Sequence, residues 1–467
     1  MSEAFDLAVV GAGTAGLPAA MAAAARGLKV VVLEKSGRIG GTLHYSSGQM
    51  SAAGTQLQRA RGIEDSPDLH YADVMRISRG LANGPLVRRA VDLAPRTIDW
   101  LMEIGFEMHP SCPAILHLHE AYAIARTYWG VDGGRSILKA VAPVFEAARA
   151  RHGIDLRLGT ATTRILPGEG VMARRPDGTE ARIAARATIL ATGGYGANPG
   201  MFARLHAGMP LYTTASPTSD GSGHAMAEAL GATLRNMHFW KPALAGIEDP
   251  AGSGRVAWED VPALTPQVRQ PWEIFVDARG RRFVAEDHES VDIREAALAR
   301  LPGLAFWVVF DEEILREAPP LLPRFDRARL EAAFAGHPHF VRADGVEALC
   351  ARTGIDADGL RATLAAYNAA VAAGGRDSLG RVHMPRPIRG PAFVALRCVG
   401  MVLRTAGGVA VDERLRVLGA GGAPVPGLHV AGEIVGGGTM SGDGYVGGMS
   451  VTPALGFGRW LGETVLS

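Results

Sequence analysis

Residues 5–34 read FDLAVVGAGTAGLPAAMAAAARGLKVVVLE. Phe5 to Val10 is a continuous apolar run, the pattern of a strand buried on both faces of a parallel sheet. Gly11-Ala-Gly-Thr-Ala-Gly16 follows, then an Ala-rich helix over Leu17–Arg26 and a second buried strand from Lys29 to Leu33, closed by Glu34. In a βαβ unit of about 30 residues, GxGxxG marks a dinucleotide site. Gly11 permits the tight turn, Gly13 lets backbone approach a pyrophosphate, and Gly16 lets the helix pack on the strand. Thr14 and Ala15 lie in the same turn, where the helix N-terminus faces the phosphates. Glu34 is placed to accept from a ribose hydroxyl, with Lys35 beside it.

Outward from this unit, 84–152 is helical, with periodic stretches at Leu86–Gly105 and Ile137–Arg151. Short strands follow at Asp155–Leu158, Thr162–Leu166, Gly170–Arg174 and Glu180–Ala184. A buried strand from Ala187 then runs through Ala191 and Thr192 into Gly193-Gly194. The pattern is mixed over 237–384, with a hairpin expected at Ile274–Val284 and helices at Ser290–Arg300 and Asp358–Ala373. Glycine-rich α/β sequence returns at Gly427–Glu433, and a last helix is expected over Gly448–Gly462. The expected architecture is one α/β nucleotide-binding domain, 1–236 and 385–467, interrupted by an α+β cap at 237–384.

Composition narrows the function. The chain has 467 residues, 47% hydrophobic and 20% charged, which rules out wholesale disorder. Lys and Arg (48) nearly balance Asp and Glu (47), so the basic footprint of a nucleic-acid binder is missing. Gly is in excess, 60 of 467, about 13% against a usual share of roughly 7%. The surplus points to a large ligand held by backbone. Cys112, Cys350 and Cys398 match no zinc, haem or CxxC spacing, so no metal is expected. The absence of a long apolar run or a basic leader gives the expectation of a cytoplasmic protein without membrane contact.

Several motifs, in order, resemble the flavoprotein-subunit family of fumarate reductases and succinate dehydrogenases. They are nearest its 3-ketosteroid dehydrogenase and tricarballylate dehydrogenase branch. They are Gly11–Gly16 with Glu34, Gly40-Gly41-Thr42 through Ser46-Ser47-Gly48, Ala191-Thr-Gly-Gly194 to Asn198, Ser219-Asp220-Gly221, Gly280–Glu286, Thr405–Val409, Gly427–Glu433 and Tyr445-Val-Gly-Gly448. The resemblance implies a Rossmann-like FAD-binding domain of glutathione-reductase type, with FAD meeting the substrate beneath the cap. Gly40, Gly41 and Ser47 would line the pyrophosphate and flavin, and Glu433 would accept from ribityl hydroxyls. The helix entered at Gly448, Ser450 and Val451 would point its positive end at the flavin. Thr42 and Ser450 read equally as caps. Covalently flavinylated relatives carry His where Thr42 stands, so FAD is expected to be noncovalent.

At the reacting site the chain departs from the fumarate-reductase set. In that alignment Thr214 and Arg404 replace two His, Tyr445 replaces a substrate Arg, and Arg294 is a loose counterpart of the proton-delivering Arg. Tyr445 with the backbone at Gly447–Gly448 would hold a substrate carbonyl, and it reads equally as a packed loop aromatic. Tyr122 or Tyr128 would be the base, with Arg126 as the cation lowering its pKa and contacting substrate; either Tyr reads also as a core-packing residue. Arg404 reads either as a carboxylate fork or as half of a structural ion pair. The expected activity is FAD-dependent desaturation of a ketone or cyclic keto acid: a base takes the α-proton, the flavin takes hydride from the β-carbon, and an external acceptor takes the electrons. The alternatives are an ene reductase of an α,β-unsaturated acid and a redox-silent FAD-binding sensor.

Overall fold

A computed structural model describes residues 4–117, 119–257 and 260–467. Its larger sheet has eight strands. Six of them run in the order Arg416–Leu418, Pro424–Val430, Glu180–Leu190, Ala4–Val10, Val30–Glu34, Asp155–Leu158. The four pairings among the last five of these are parallel. Gly170–Arg174 pairs antiparallel with Glu180–Leu190, and Ala161–Leu166 with Gly170–Arg174. The apolar runs end in register: Val10 lies opposite Leu33 and Leu190, and Leu190 opposite Val430. The segments that follow these strands therefore emerge along one edge, where α/β sheets bind their ligands.

The expected strand at Glu180–Ala184 and the one from Ala187 are a single strand of 11 residues. The first helix spans Gly16–Ala25 and packs against the last, Val451–Thr464, so the C-terminal stretch closes the domain begun by the N-terminus. The long helices of the middle stretch span Gly84–Glu103 and Gly134–His152.

A second body carries its own core around a five-stranded antiparallel sheet. Its central strand, Ala392–Met401, pairs with Ala305–Asp311, Phe340–Asp344 and Ala243–Gly246. The cap sheet thus uses chain on both sides of the expected boundary at 384. Ile274–Val276 is a strand, but it pairs with Ala305–Asp311, and the expected hairpin shrinks to the bridge Val276–Arg282 and a tight turn closed by the bond from Asp277 N–H to Arg281 O (3.0 Å). Cap helices span Val291–Leu298 and Ala357–Ala373. No helix among the described residues is long and apolar enough to cross a membrane.

Candidate active site

Where the parallel strands end, a cavity of about 510 Å³ runs along the sheet edge and under the cap. The turn after the first strand reaches it because Gly11 adopts φ 104° and a Cβ there would stand 2.4 Å from the carbonyl oxygen of Ala191. Gly13, Thr14 and Ala15 line the cavity; facing them are Gly41 and Thr42, then Ser46, Ser47 and Gly48. Neither helix that starts at this wall has a side-chain cap, at Ala15 or at Ser450. Ser46 Oγ and Thr192 Oγ1 are buried on the wall without a hydrogen-bond partner.

At one end Glu34 accepts from the N–H of Ala12 (2.9 Å) and of Ser36 (2.8 Å), which fixes its carboxylate and leaves each oxygen a second lone pair. Lys35 pairs with Asp220 at 2.7 Å beside it. Further along, Glu433 accepts from the N–H and hydroxyl of Thr405 (2.8 and 3.0 Å). Uncapped helix starts, bare backbone and orphan hydroxyls beside an anchored carboxylate are the donor and acceptor set that a dinucleotide requires. The residues fit FAD.

Beneath the cap the lining changes character. Leu244, Val261, Pro262, Leu264, Val268 and Val291 form an apolar wall opposite a polar group of Arg294, Glu295, Arg404, Tyr445 and His119. Arg404 donates to Ser450 Oγ (3.1 Å) and to the carbonyls of Gly437 and Gly444 (both 3.3 Å). Its guanidinium lies 4.7 Å from the Tyr445 ring centre, and that ring stacks on His119 at 3.8 Å. Arg294 is buried, donating from Nη1 to Leu264 O (2.7 Å), while Nε and Nη2 have no partner. Desolvation lowers its pKa to about 10. Burial and the neighbouring Asp292 raise that of Glu295 to about 8, and burial lowers that of His119 to about 3.

Other expected site residues lie elsewhere. Tyr128 is fully buried, with its hydroxyl 2.8 Å from Thr55 Oγ1. Tyr122 donates to the carbonyl of Gly447 (2.5 Å), its oxygen lies 3.2 Å from the Ser51 hydroxyl, and burial pushes its pKa up. Neither hydroxyl reaches the cavity, so the expected base is absent from it. Arg126 is equally buried, bound to Asp65 (2.8 Å) and Asp73 (3.2 Å), and cannot contact substrate. Asn198 caps the helix Pro199–Leu205 and donates to Asp220 O (2.8 Å); it braces the loop that carries Asp220. Gly16, Gly40 and Gly447 stand behind the lining, whereas Gly448 is part of it.

Sequence reasoning missed Glu295 and left His119 unplaced. Glu295 carried one signal, a carboxylate next to an Arg on a helical stretch whose only other charge is Asp292. His119 carried none.

A largely parallel sheet with a capped crevice along its strand ends and a charged far end is the architecture of a dinucleotide-binding enzyme. Residues 6–450 match the family described as FAD binding domain, and the chain belongs to that family. The cytochrome-type fumarate reductase of Shewanella frigidimarina is 29% identical over 478 residues, 98% of this chain and 76% of that protein. The 4-oxocyclohexanecarboxylate 2-dehydrogenase of Sinomonas cyclohexanicum is 26% identical over 556 residues, 99% of this chain and 92% of that protein. The solved 3-ketosteroid delta1-dehydrogenase of Sterolibacterium denitrificans superposes with a TM-score of 0.78 at 20% identity, covering 98% of each chain. The protein is an FAD-dependent oxidoreductase acting on CH–CH groups.

Proposed function

We propose that this protein reduces the C=C bond of a small α,β-unsaturated carboxylate with an apolar carbon body, drawing electrons from an external donor. The observation that carries the reading is Arg404. It lies on the cavity wall with only hydroxyl and carbonyl partners, and no carboxylate within ion-pair distance among the described residues. A half-buried guanidinium whose acidic neighbours Glu433 and Glu295 stand beyond contact distance is incompletely compensated, and a bidentate substrate carboxylate would complete it.

Bound FAD supplies the hydride chemistry. The protein's own residues do the rest. Arg404 anchors the acid, the Leu244–Val291 wall excludes water from the carbon body, and Arg294 holds a proton for the carbon next to the carboxylate. Burial makes that proton easier to release than that of a surface Arg. With both candidate tyrosine bases outside the cavity, desaturation has lost the group first assigned to start it.

A second reading keeps one specific support. Tyr445 lies under Arg404 in the cavity, and a relative is named for acting on 4-oxocyclohexanecarboxylate. Desaturation of a cyclic keto acid would use the same anchor, with the phenol on the ketone.

Anaerobic stopped-flow separates the two. Reduced enzyme mixed with cyclohex-1-enecarboxylate or crotonate should reoxidise, and Arg404→Ala should raise KM about 10- to 100-fold, the loss typical of a charge-assisted contact. Oxidised enzyme bleached by keto acids while reduced enzyme ignores every enoate would replace the first reading with the second.

A further inference from the structure

Arg404 is lodged against the segment Gly436–Ser450, which contains the short helix Gly437–Ser441. A Cβ built on Gly437 would stand 2.8 Å from Arg404 Nη1, 2.9 Å from Cζ and 3.0 Å from Cδ. The guanidinium therefore occupies the space that any other residue at 437 would fill. The same group donates to Gly437 O and Gly444 O and rests on the Tyr445 ring. Ser450 precedes the helix Val451–Thr464, where a hydroxyl ordinarily caps; here it makes no capping bond and accepts from Arg404 Nη1 at 3.1 Å. Every one of these partners is neutral. The socket orients the fork without cancelling its charge, as recognition of an anion demands.

We propose that Gly437 and Ser450 are positioning residues that set specificity for a carboxylate by holding Arg404 in its fork orientation. The proposal rests on the reading of the cavity as a carboxylate site. Its consequence is that anion recognition depends on a residue with no side chain and on a hydroxyl released from capping.

The test uses the FAD-loaded enzyme and non-reacting probes followed by flavin absorbance and calorimetry: cyclohexanecarboxylate, and its uncharged counterpart cyclohexanecarboxamide. Gly437→Ala should weaken the acid at least about tenfold and the amide less than about twofold. Ser450→Ala, which adds no bulk, should weaken the acid about three- to tenfold, the range of one ordinary hydrogen bond, because Arg404 keeps its two carbonyl partners. The deciding measurement is a double-mutant cycle: in an Arg404→Ala background, Gly437→Ala should cost nothing further. A wild-type acid affinity in Gly437→Ala and Ser450→Ala, or an equal extra loss in the Arg404→Ala background, overturns the socket and leaves the carboxylate reading intact. Acid and amide binding alike to the wild type, with Arg404→Ala without effect, overturns that reading and the socket with it.

Discussion

At the scale of the residue, Glu295 tests how the cavity treats charge. It is buried, and is faced by Asp292, Lys241 and Arg294 as well as by Arg404 and Tyr445. Desolvation outweighs the cations, so the folded protein holds a proton that the unfolded chain, near 4.5, releases. Between about 4.5 and 8 the native state therefore binds more protons than the unfolded state. Stability falls as pH rises through that window, by at most about 1.4 kcal/mol per pH unit. Glu295→Gln should flatten this part of a Tm-against-pH curve; a slope unchanged by the substitution would mean that another group carries it. Arg404 was legible because a motif fixed its place beside Thr405-Ala-Gly-Gly408. The state of Glu295 was not, because it depends on what packs around it.

The element scale concerns Arg126, which the sequence suggested as a substrate contact. It holds Asp65, in the loop after the helix Gln56–Ala60, and Asp73, on the helix Pro67–Ile77, against the strand that begins at Thr127. Gln58 adds bonds from Nε2 to Asp65 (2.8 Å) and to Ala125 O (2.9 Å). Replacing Arg126 with Met leaves Asp65 fully buried without its cation, a loss of about 3–5 kcal/mol. Calorimetry should show a clear fall in Tm, about 2–4 °C for each kcal/mol lost, while the folded, FAD-bound fraction keeps its KM. A large KM change at unchanged Tm would return Arg126 to the site. The same scale explains what was readable. Strands buried on both faces announce themselves as apolar runs, so the first βαβ unit needed no partner information. Tyr122, Arg126 and Tyr128 sit in an aromatic and basic stretch whose composition is equally that of a site or a core. Only the pairing of Met50 with Tyr128 and Ser51 with Thr127 turns that stretch inward. The cap sheet stayed hidden for a related reason, since Ala305–Asp311 and Ala392–Met401 meet across more than 80 residues of chain.

For the whole molecule, function requires that the cap cover the cavity yet release it. Its helix Val291–Leu298 carries Arg294 and Glu295, so the placement of the cap sets the geometry of the polar group. The start of that helix is tied to the FAD-binding body at two points. Ser290 donates to Glu120 at 2.5 Å, and Asp292 receives Arg79 at 3.1 Å. Arg79 also holds Asp443 at 2.5 Å, on the loop that carries Tyr445, so one half-exposed side chain spans cap and socket loop. Ion pairs this exposed are worth about 0–1 kcal/mol. That is enough to bias an opening equilibrium about fivefold without locking it. Hydrogen exchange reads this directly, because local opening is reported segment by segment. In Arg79→Ala the amides of Val291–Leu298 should exchange up to about fivefold faster, while those of the cap helix Ala357–Ala373 keep their rate. Equal acceleration in both helices would show general loosening of the cap. No acceleration in either would show that Ser290 and the apolar wall hold the cap closed, and that Arg79 serves only the Asp443 loop.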